Sequence, residues 1–315
     1  MTEHRHAVMN TFRSIGKILG QTINDFIDNK VLRMSAALAY YTVFALAPML
    51  IIIISLSDFF WGGKPEGTIV NQLSSLVGEG AALQIQSMVH NIRLSGNSHL
   101  ASIISIVILL FSATGVFIEI QDSINVIWHL KSKPKKGKGF LKLVINRLLS
   151  FSLVISLGFI LLVSLILNAV LDALSYRLFQ VFPESKVYVS YIITLSLTFL
   201  TIALLFAIIF KVLPDAKIKW RDVFTGAITT SLLFMLGKMG IGYYLQKSPV
   251  TTAYRAAGSI VIILLWVYYS AIILYFGATF TRVYALYKGR TIYPNDYAVW
   301  VEQVEIDHSS ENTQS

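Results

Sequence analysis

Apolar residues in this chain fall in long unbroken runs rather than in strand-like alternation. Met34–Ser57, Leu100–Ile118, Leu148–Leu171, Val187–Phe210 and Ala256–Thr281 contain no Asp, Glu, Lys or Arg. A sixth run, Val223–Leu245, is broken only by Lys238. A helix rises 1.5 Å per residue, so about 20 residues cross a hydrocarbon core of about 30 Å. The pattern predicts an all-α polytopic membrane protein with six transmembrane helices plus short amphipathic interfacial helices.

Weaker periodicities flank the spans. Phe12, Ile15, Leu19, Ile23 and Phe26 recur at helical spacing, with Arg13 and Lys17 on other faces. This predicts an amphipathic helix, either lying in the inner interface or packed on the bundle from the cytoplasm. In the long loop 60–99, Trp61 precedes a Gly62–Gly63 turn. Two short helices are expected there, carrying Ile69, Leu73, Leu76 and Val77, then Leu83, Met88, Val89 and Ile92. Pro48 removes a helical hydrogen-bond donor and is expected to kink the first span. The chain divides into an amphipathic segment 1–33, a transmembrane domain 34–290 and an acidic tail 291–315 expected to lack stable structure. The first run begins too far along and runs too long for a signal-peptide core, so it is expected to remain as a span.

Charge turns this pattern into a topology. The chain carries 26 Lys and Arg and a formal net charge of +9. Seven of these residues lie between Lys131 and Arg147, in the loop after the second span. Assigning alternate loops to opposite sides puts nineteen basic residues on one side and six on the other. Basic residues favour cytoplasmic loops. Both termini are therefore expected inside, with 60–98, 173–186 and 246–257 outside. The basic loop is read as an orientation signal and not as a nucleic-acid site, since it lacks interleaved aromatics. Expected partners are the bilayer, with anionic lipids at the cytoplasmic face, and further copies of the chain in a homo-oligomer.

Composition agrees and narrows the chemistry. Charged residues make up 14% and hydrophobic ones 55%, against about 25% charged in soluble domains. There is no cysteine, which removes thiolate chemistry and disulfides. No nucleophile–base pair, HExxH or phosphate loop occurs, and the six histidines lack metal-ligand spacing. The expectation is a protein that is not an enzyme, with no catalytic residue, metal or cofactor.

Polar residues inside spans are the remaining candidates, because lipid offers them no partner. Ser112, Gly115, Glu119 and Asp122 share one face of the second span, and Asn125 follows. This stripe can line a pathway, or Glu119 can serve in a structural ion pair near the inner boundary. Lys238 can snorkel to the outer headgroups or face a lumen and bind an anion. Tyr268 and Thr279 lie about three turns apart on one face of the last span. They can line a polar cavity or act as interhelical glue.

Four stretches carry a family likeness: SAALAYYTVFALAP (Ser35–Pro48), FSATGVFIEIQDSINVIW (Phe111–Trp128), LPDAKIKWRDVFTGA (Leu213–Ala227) and GSIVIILLWVYYSAIILYFGATFTRVYA (Gly258–Ala285). In this order they resemble the YihY/BrkB family of bacterial inner-membrane proteins, formerly called ribonuclease BN-like. The resemblance implies six spans with both ends in the cytoplasm and carries no settled activity; transport has been proposed for the family. Two positions depart from its pattern: Arg255 follows Tyr254 where glycine is usual, and Thr279 stands where a glutamate is common. The functional expectation is a transporter or permease for a small solute or lipid. The alternative is a structural or interaction protein of the cell envelope without transport.

Overall fold

The structure, a computed structural model, describes residues 2–45, 83–84, 86–87, 90, 115–133, 186–247, 258–296 and 298–302. The kink expected at Pro48, most of the outer loop, the third span and the basic loop beyond Lys133 lie outside these residues. So do Arg255 and the tail after Glu302.

The described residues are mostly helical. Helix α1 covers Thr2–Asp28 and α2 covers Val31–Ala45. Helix α3, residues 115–127, is the described part of the expected second span. Helices α4, α5 and α6 cover Lys186–Val212, Trp220–Lys247 and Gly258–Tyr287. Within the last three, Ile192–Val212, Trp220–Tyr244 and Ile260–Tyr287 are long and apolar enough to cross a membrane. A helix is the natural answer for such segments, because it satisfies backbone donors and acceptors internally where no water can.

The helix ends are legible in local chemistry. Pro214 follows α4 within two residues and cannot continue it. Helix α6 closes in a Schellman arrangement: Gly289, at φ 68°, donates to Leu286 O at 2.9 Å and Arg290 donates to Ala285 O at 2.9 Å. Lys30 and His129 take the equivalent left-handed position after α1 and α3 without being glycine, at φ 55° and 57°.

Helices α5 and α6 interlock through two Gly-x-x-x-Thr pairs. A Cβ at Gly226 would overlap the Thr281 hydroxyl, and one at Gly277 would overlap the Thr230 hydroxyl. Each threonine hydroxyl donates to the carbonyl of the glycine on its own helix, Thr230 to Gly226 and Thr281 to Gly277, both at 2.7 Å. The hydroxyls are thus internally satisfied, and the glycines give the space that lets the backbones approach. Phe206 of α4, Phe234 of α5 and Trp266 of α6 continue the packing as an aromatic chain, with ring centroids 5.8 and 5.5 Å apart.

Helix α1 packs on α6 in an unforeseen register. Its buried face is Ile18 and Thr22, with Phe26 against Phe276 at 5.9 Å between ring centroids. Ile15, Leu19, Ile23 and Ile27 are exposed. Of the expected apolar stripe, Phe26 docks on α6, while Ile15, Leu19 and Ile23 do not. Thr22 can be buried because its hydroxyl donates to Ile18 O at 2.7 Å.

Short strands brace one end of the bundle. Strand β1, Leu130–Ser132, pairs antiparallel with β4, Ala298–Trp300. Strand β2, Ala216–Lys217, pairs antiparallel with β3, Tyr293–Pro294. The start of the 291–315 stretch is thus folded, contrary to the expectation of an unstructured tail. The reason lies in its own residues: Tyr293 packs on Trp300 at 5.8 Å, and Trp300 Nε1 donates to Ile292 O at 3.1 Å.

The interlock makes a testable contrast. Gly226→Ala is expected to destabilise the detergent-solubilised protein by about 1–3 kcal/mol, the usual cost of overpacking. Gly240→Ala, which meets nothing within 4 Å, is expected to leave thermal unfolding unchanged. Equal melting of both variants would contradict the interlock.

Candidate functional site

The polar residues of α3 separate into two groups with different fates. The first is a clamp. Asp215, in the turn after α4, is buried. Its carboxylate accepts from Gln121 Nε2 at 2.9 Å and from Asn125 Nδ2 at 3.0 Å. Asn125 Oδ1 in turn accepts from the Asp215 backbone N–H at 2.9 Å. The Asp215 carbonyl accepts from Asn295 N at 2.9 Å. A buried carboxylate needs several donors, and these neutral amides supply them. Asn125 therefore spends its amide in both directions on tying α3 to the strand-bearing end.

The second group lies deeper, at the seam between α3 and α6. Ser123 Oγ donates to Glu119 Oε1 at 3.3 Å. Opposite stands Tyr275 of α6, fully buried. Its hydroxyl lies near Ser123 and Glu119 but forms no hydrogen bond of good geometry. Buried hydroxyls without partners are uncommon, and each calls for a reason. Glu119 is partly buried, while Asp122, one turn on, is exposed. Asp122 lines a cleft of about 520 Å³ together with Asn125, Val126, His129, Leu130, Lys131, Ser132 and Val301. Glu119 lies about 15 Å along the helix axis from His129.

A third cluster joins three helices at the cleft's edge. Arg282 Nη1 donates to Asp25 Oδ2 at 2.9 Å, and Arg282 Nη2 lies 3.2 Å from His129 Nδ1. Guanidinium has no acceptor, so Nδ1 must accept and the ring proton sits on Nε2. Burial and then the neighbouring Arg282 charge push the His129 pKa below the ordinary histidine value, against the opposing pull of Asp25. Nearby, Asp222 is buried and paired with Arg290. Trp128 Nε1 donates to Ala278 O at 3.0 Å, fixing the end of α3 against α6.

The other expected residues fall apart from the seam. Thr279 is fully buried, but its hydroxyl donates to Tyr275 O at 2.8 Å, so it faces its own helix. Tyr268 is partly buried, seven residues and thus about 10 Å before Tyr275. Lys238 is partly buried on α5, next to Gly237, where the Tyr269 hydroxyl fills the space of the missing side chain. Sequence reasoning passed over Ser123, Tyr275, Asp215 and the Asp25–Arg282–His129 link. Ser123 carried a signal, lying four residues after Glu119 on the same face. Tyr275 carried none, since one tyrosine among many in an apolar run has no distinguishing pattern. No group of three or more His, Asp or Glu suited to a metal ion occurs among the described residues.

The Virulence factor BrkB family matches residues 22–296. Among similar proteins, a UPF0761 membrane protein of Methylibium petroleiphilum is 26% identical over 257 residues, 80% of this chain and 58% of the relative. One of Stenotrophomonas maltophilia is 26% identical over 275 residues, 84% of this chain and 59% of the relative. One of Aeromonas salmonicida is 25% identical over 258 residues, covering 80% of this chain and 83% of the relative. The chain thus spans under two thirds of the first two relatives. No solved structure matches the chain.

The histidine gives a signed pH effect. With its folded pKa below the unfolded value, the unfolded chain binds more protons as pH falls through the ordinary histidine range, about 6.5. Stability is expected to be full above that range and to decline below it. His129→Asn keeps a residue that tolerates the left-handed conformation and removes the titration. The drop in melting temperature between pH 8 and pH 5 should therefore be smaller in His129→Asn than in the unaltered protein; identical profiles would contradict the assignment.

Proposed function

The chain belongs to the Virulence factor BrkB family, and on that footing we propose that it is a permease-like carrier whose pathway runs along the α3–α6 seam. It is an integral membrane protein, like its UPF0761 relatives. The observation that carries the transport reading is the under-satisfied polar group at the seam: a partly buried Glu119 with one long hydrogen bond among the described residues, from Ser123, and a fully buried Tyr275 hydroxyl without a hydrogen bond of good geometry. A protein that only needed to pack would gain by replacing such groups with apolar ones of the same shape. Placing them above a cleft that reaches solvent serves a polar solute.

The proposal includes the topology. Six spans cross a bacterial inner membrane, both termini are cytoplasmic, and the strand-bearing end faces the cytoplasm. The cluster of Lys and Arg after β1 supports this orientation. The exposed Ile15, Leu19, Ile23 and Ile27 of α1, beside Arg13 and Lys17, suit a helix resting on an anionic cytoplasmic leaflet.

A scaffold of the cell envelope is the second reading. It is favoured by the hydroxyls of Thr230, Ser231, Ser270, Thr279 and Thr281, each donating to a carbonyl four residues back on its own helix. Those contacts describe closed packing rather than a lined channel.

Two measurements separate the readings. In the cysteine-free chain, single cysteines at Gly67, Lys186 and Ser248 are expected to react with an impermeant thiol reagent from outside only. Labelling from the cytoplasm alone would overturn the topology. In proteoliposomes, saturable uptake of at least one member of a panel of labelled ions, polar metabolites and lipids is expected, falling roughly tenfold or more in Glu119→Gln. Capture of one defined protein partner, with no uptake of any panel member, would transfer the conclusion to the scaffold.

A further inference from the structure

Glu119 sits in an arrangement that suits one particular occupant. Among the described residues its carboxylate receives one long hydrogen bond, from Ser123 at 3.3 Å. The charged neighbour acting on it is Asp122, which is negative. Across the seam the Tyr275 hydroxyl is fully buried, lies near Ser123 and Glu119, and makes no hydrogen bond of good geometry. Three polar groups therefore converge with fewer hydrogen bonds than they can make.

A proton resolves this shortage. When the carboxylate takes up H⁺ from water it becomes a neutral carboxylic acid, with one O–H to donate and a carbonyl to accept. The chain offers an acceptor in Tyr275 or Ser123 and a donor in the other. A bare metal ion fits less well. One carboxylate and two hydroxyls fall short of the six or more oxygens that hard cations take.

A route for the proton is also present. Asp122 follows Glu119 by three residues, so the two share one helix face. Asp122 lines the open cleft, whose other ionisable groups are His129 and Lys131; Arg282 and Asp25 stand behind His129. One turn before Glu119, the Tyr41 ring of α2 packs on Gly115, 3.3 Å from where a Cβ would lie. The way from Glu119 to the cleft thus leads past Asp122.

We propose that Glu119 is a proton-binding site, loaded from the cleft by way of Asp122 and held by the hydroxyls of Ser123 and Tyr275. The proposal rests on the reading of this seam as a pathway, but it is tested without flux. Infrared difference spectroscopy of the full chain in lipid nanodiscs should show a carboxylic-acid C=O band that grows as pH falls. The band should vanish in Glu119→Gln and change frequency in Tyr275→Phe, whose ring keeps the packing and loses the hydroxyl. After a pH jump it should appear more slowly in Asp122→Asn. If Glu119→Gln does not fold, Glu119→Asp should move the band instead. A band that persists unchanged in every Glu119 variant, or no titrating band at all, would overturn the proposal. Titration of Glu119 in a protein that moves no solute would leave the proton site standing and remove the permease reading.

Discussion

Inside a bilayer every polar group must find its partner within the protein, and this one constraint arranges the whole bundle. It acts first on the pair α5–α6. Thr230 and Thr281 satisfy their hydroxyls on their own helices, and in doing so become compact shapes that fit against Gly277 and Gly226. The close approach fixes α6, and α6 then serves as the reference for everything else. It receives Trp128 from α3 and Asp25 from α1 through Arg282. Its own end is stopped by the Gly289 turn, which delivers Arg290 to Asp222 and the chain to β3 and β4.

Against that background, spent and unspent polar groups acquire different meanings. Asp215 is costly to bury, yet Gln121 and Asn125 satisfy it so fully that it reads as a clamp. Thr279 is buried and equally spent. Tyr275, one turn earlier on the same helix, is buried and unspent. Two buried hydroxyls among the described residues lack a hydrogen bond of good geometry, Tyr269 against Gly237 and Tyr275, and only Tyr275 lies beside a carboxylate. That site lies one turn from a cleft that Asp122 lines, which suits a group that exchanges with water from that side.

Much of the architecture was legible in the sequence because long apolar runs leave few alternatives. The runs containing α4, α5 and α6 are such cases. The polar face of α3 was legible too, since Glu119 and Asp122 stand out in apolar surroundings. What periodicity could not supply was which face meets a neighbour. In α1 the apolar stripe through Ile15, Leu19 and Ile23 is exposed, and the docking face is the mixed row Ile18, Thr22 and Asp25. In a membrane protein the lipid can take the apolar face, so hydrophobicity no longer points to the core. The folded start of the C-terminal stretch was hidden for a related reason. Its strands are two or three residues long and are held by partners 76 to 170 residues away in the chain (about the least visible kind of contact to local pattern reading).

The central claim is that Glu119, Ser123 and Tyr275 communicate with water through the cleft. The chain has no cysteine, so a single Ser123→Cys substitution reports on this directly. In membrane vesicles that expose the strand-bearing end, Ser123→Cys is predicted to react with a small impermeant thiol reagent, more slowly than Ser132→Cys at the cleft's mouth. Complete reaction at Ser132→Cys with none at Ser123→Cys, over the same period and from either side of the membrane, would contradict the account.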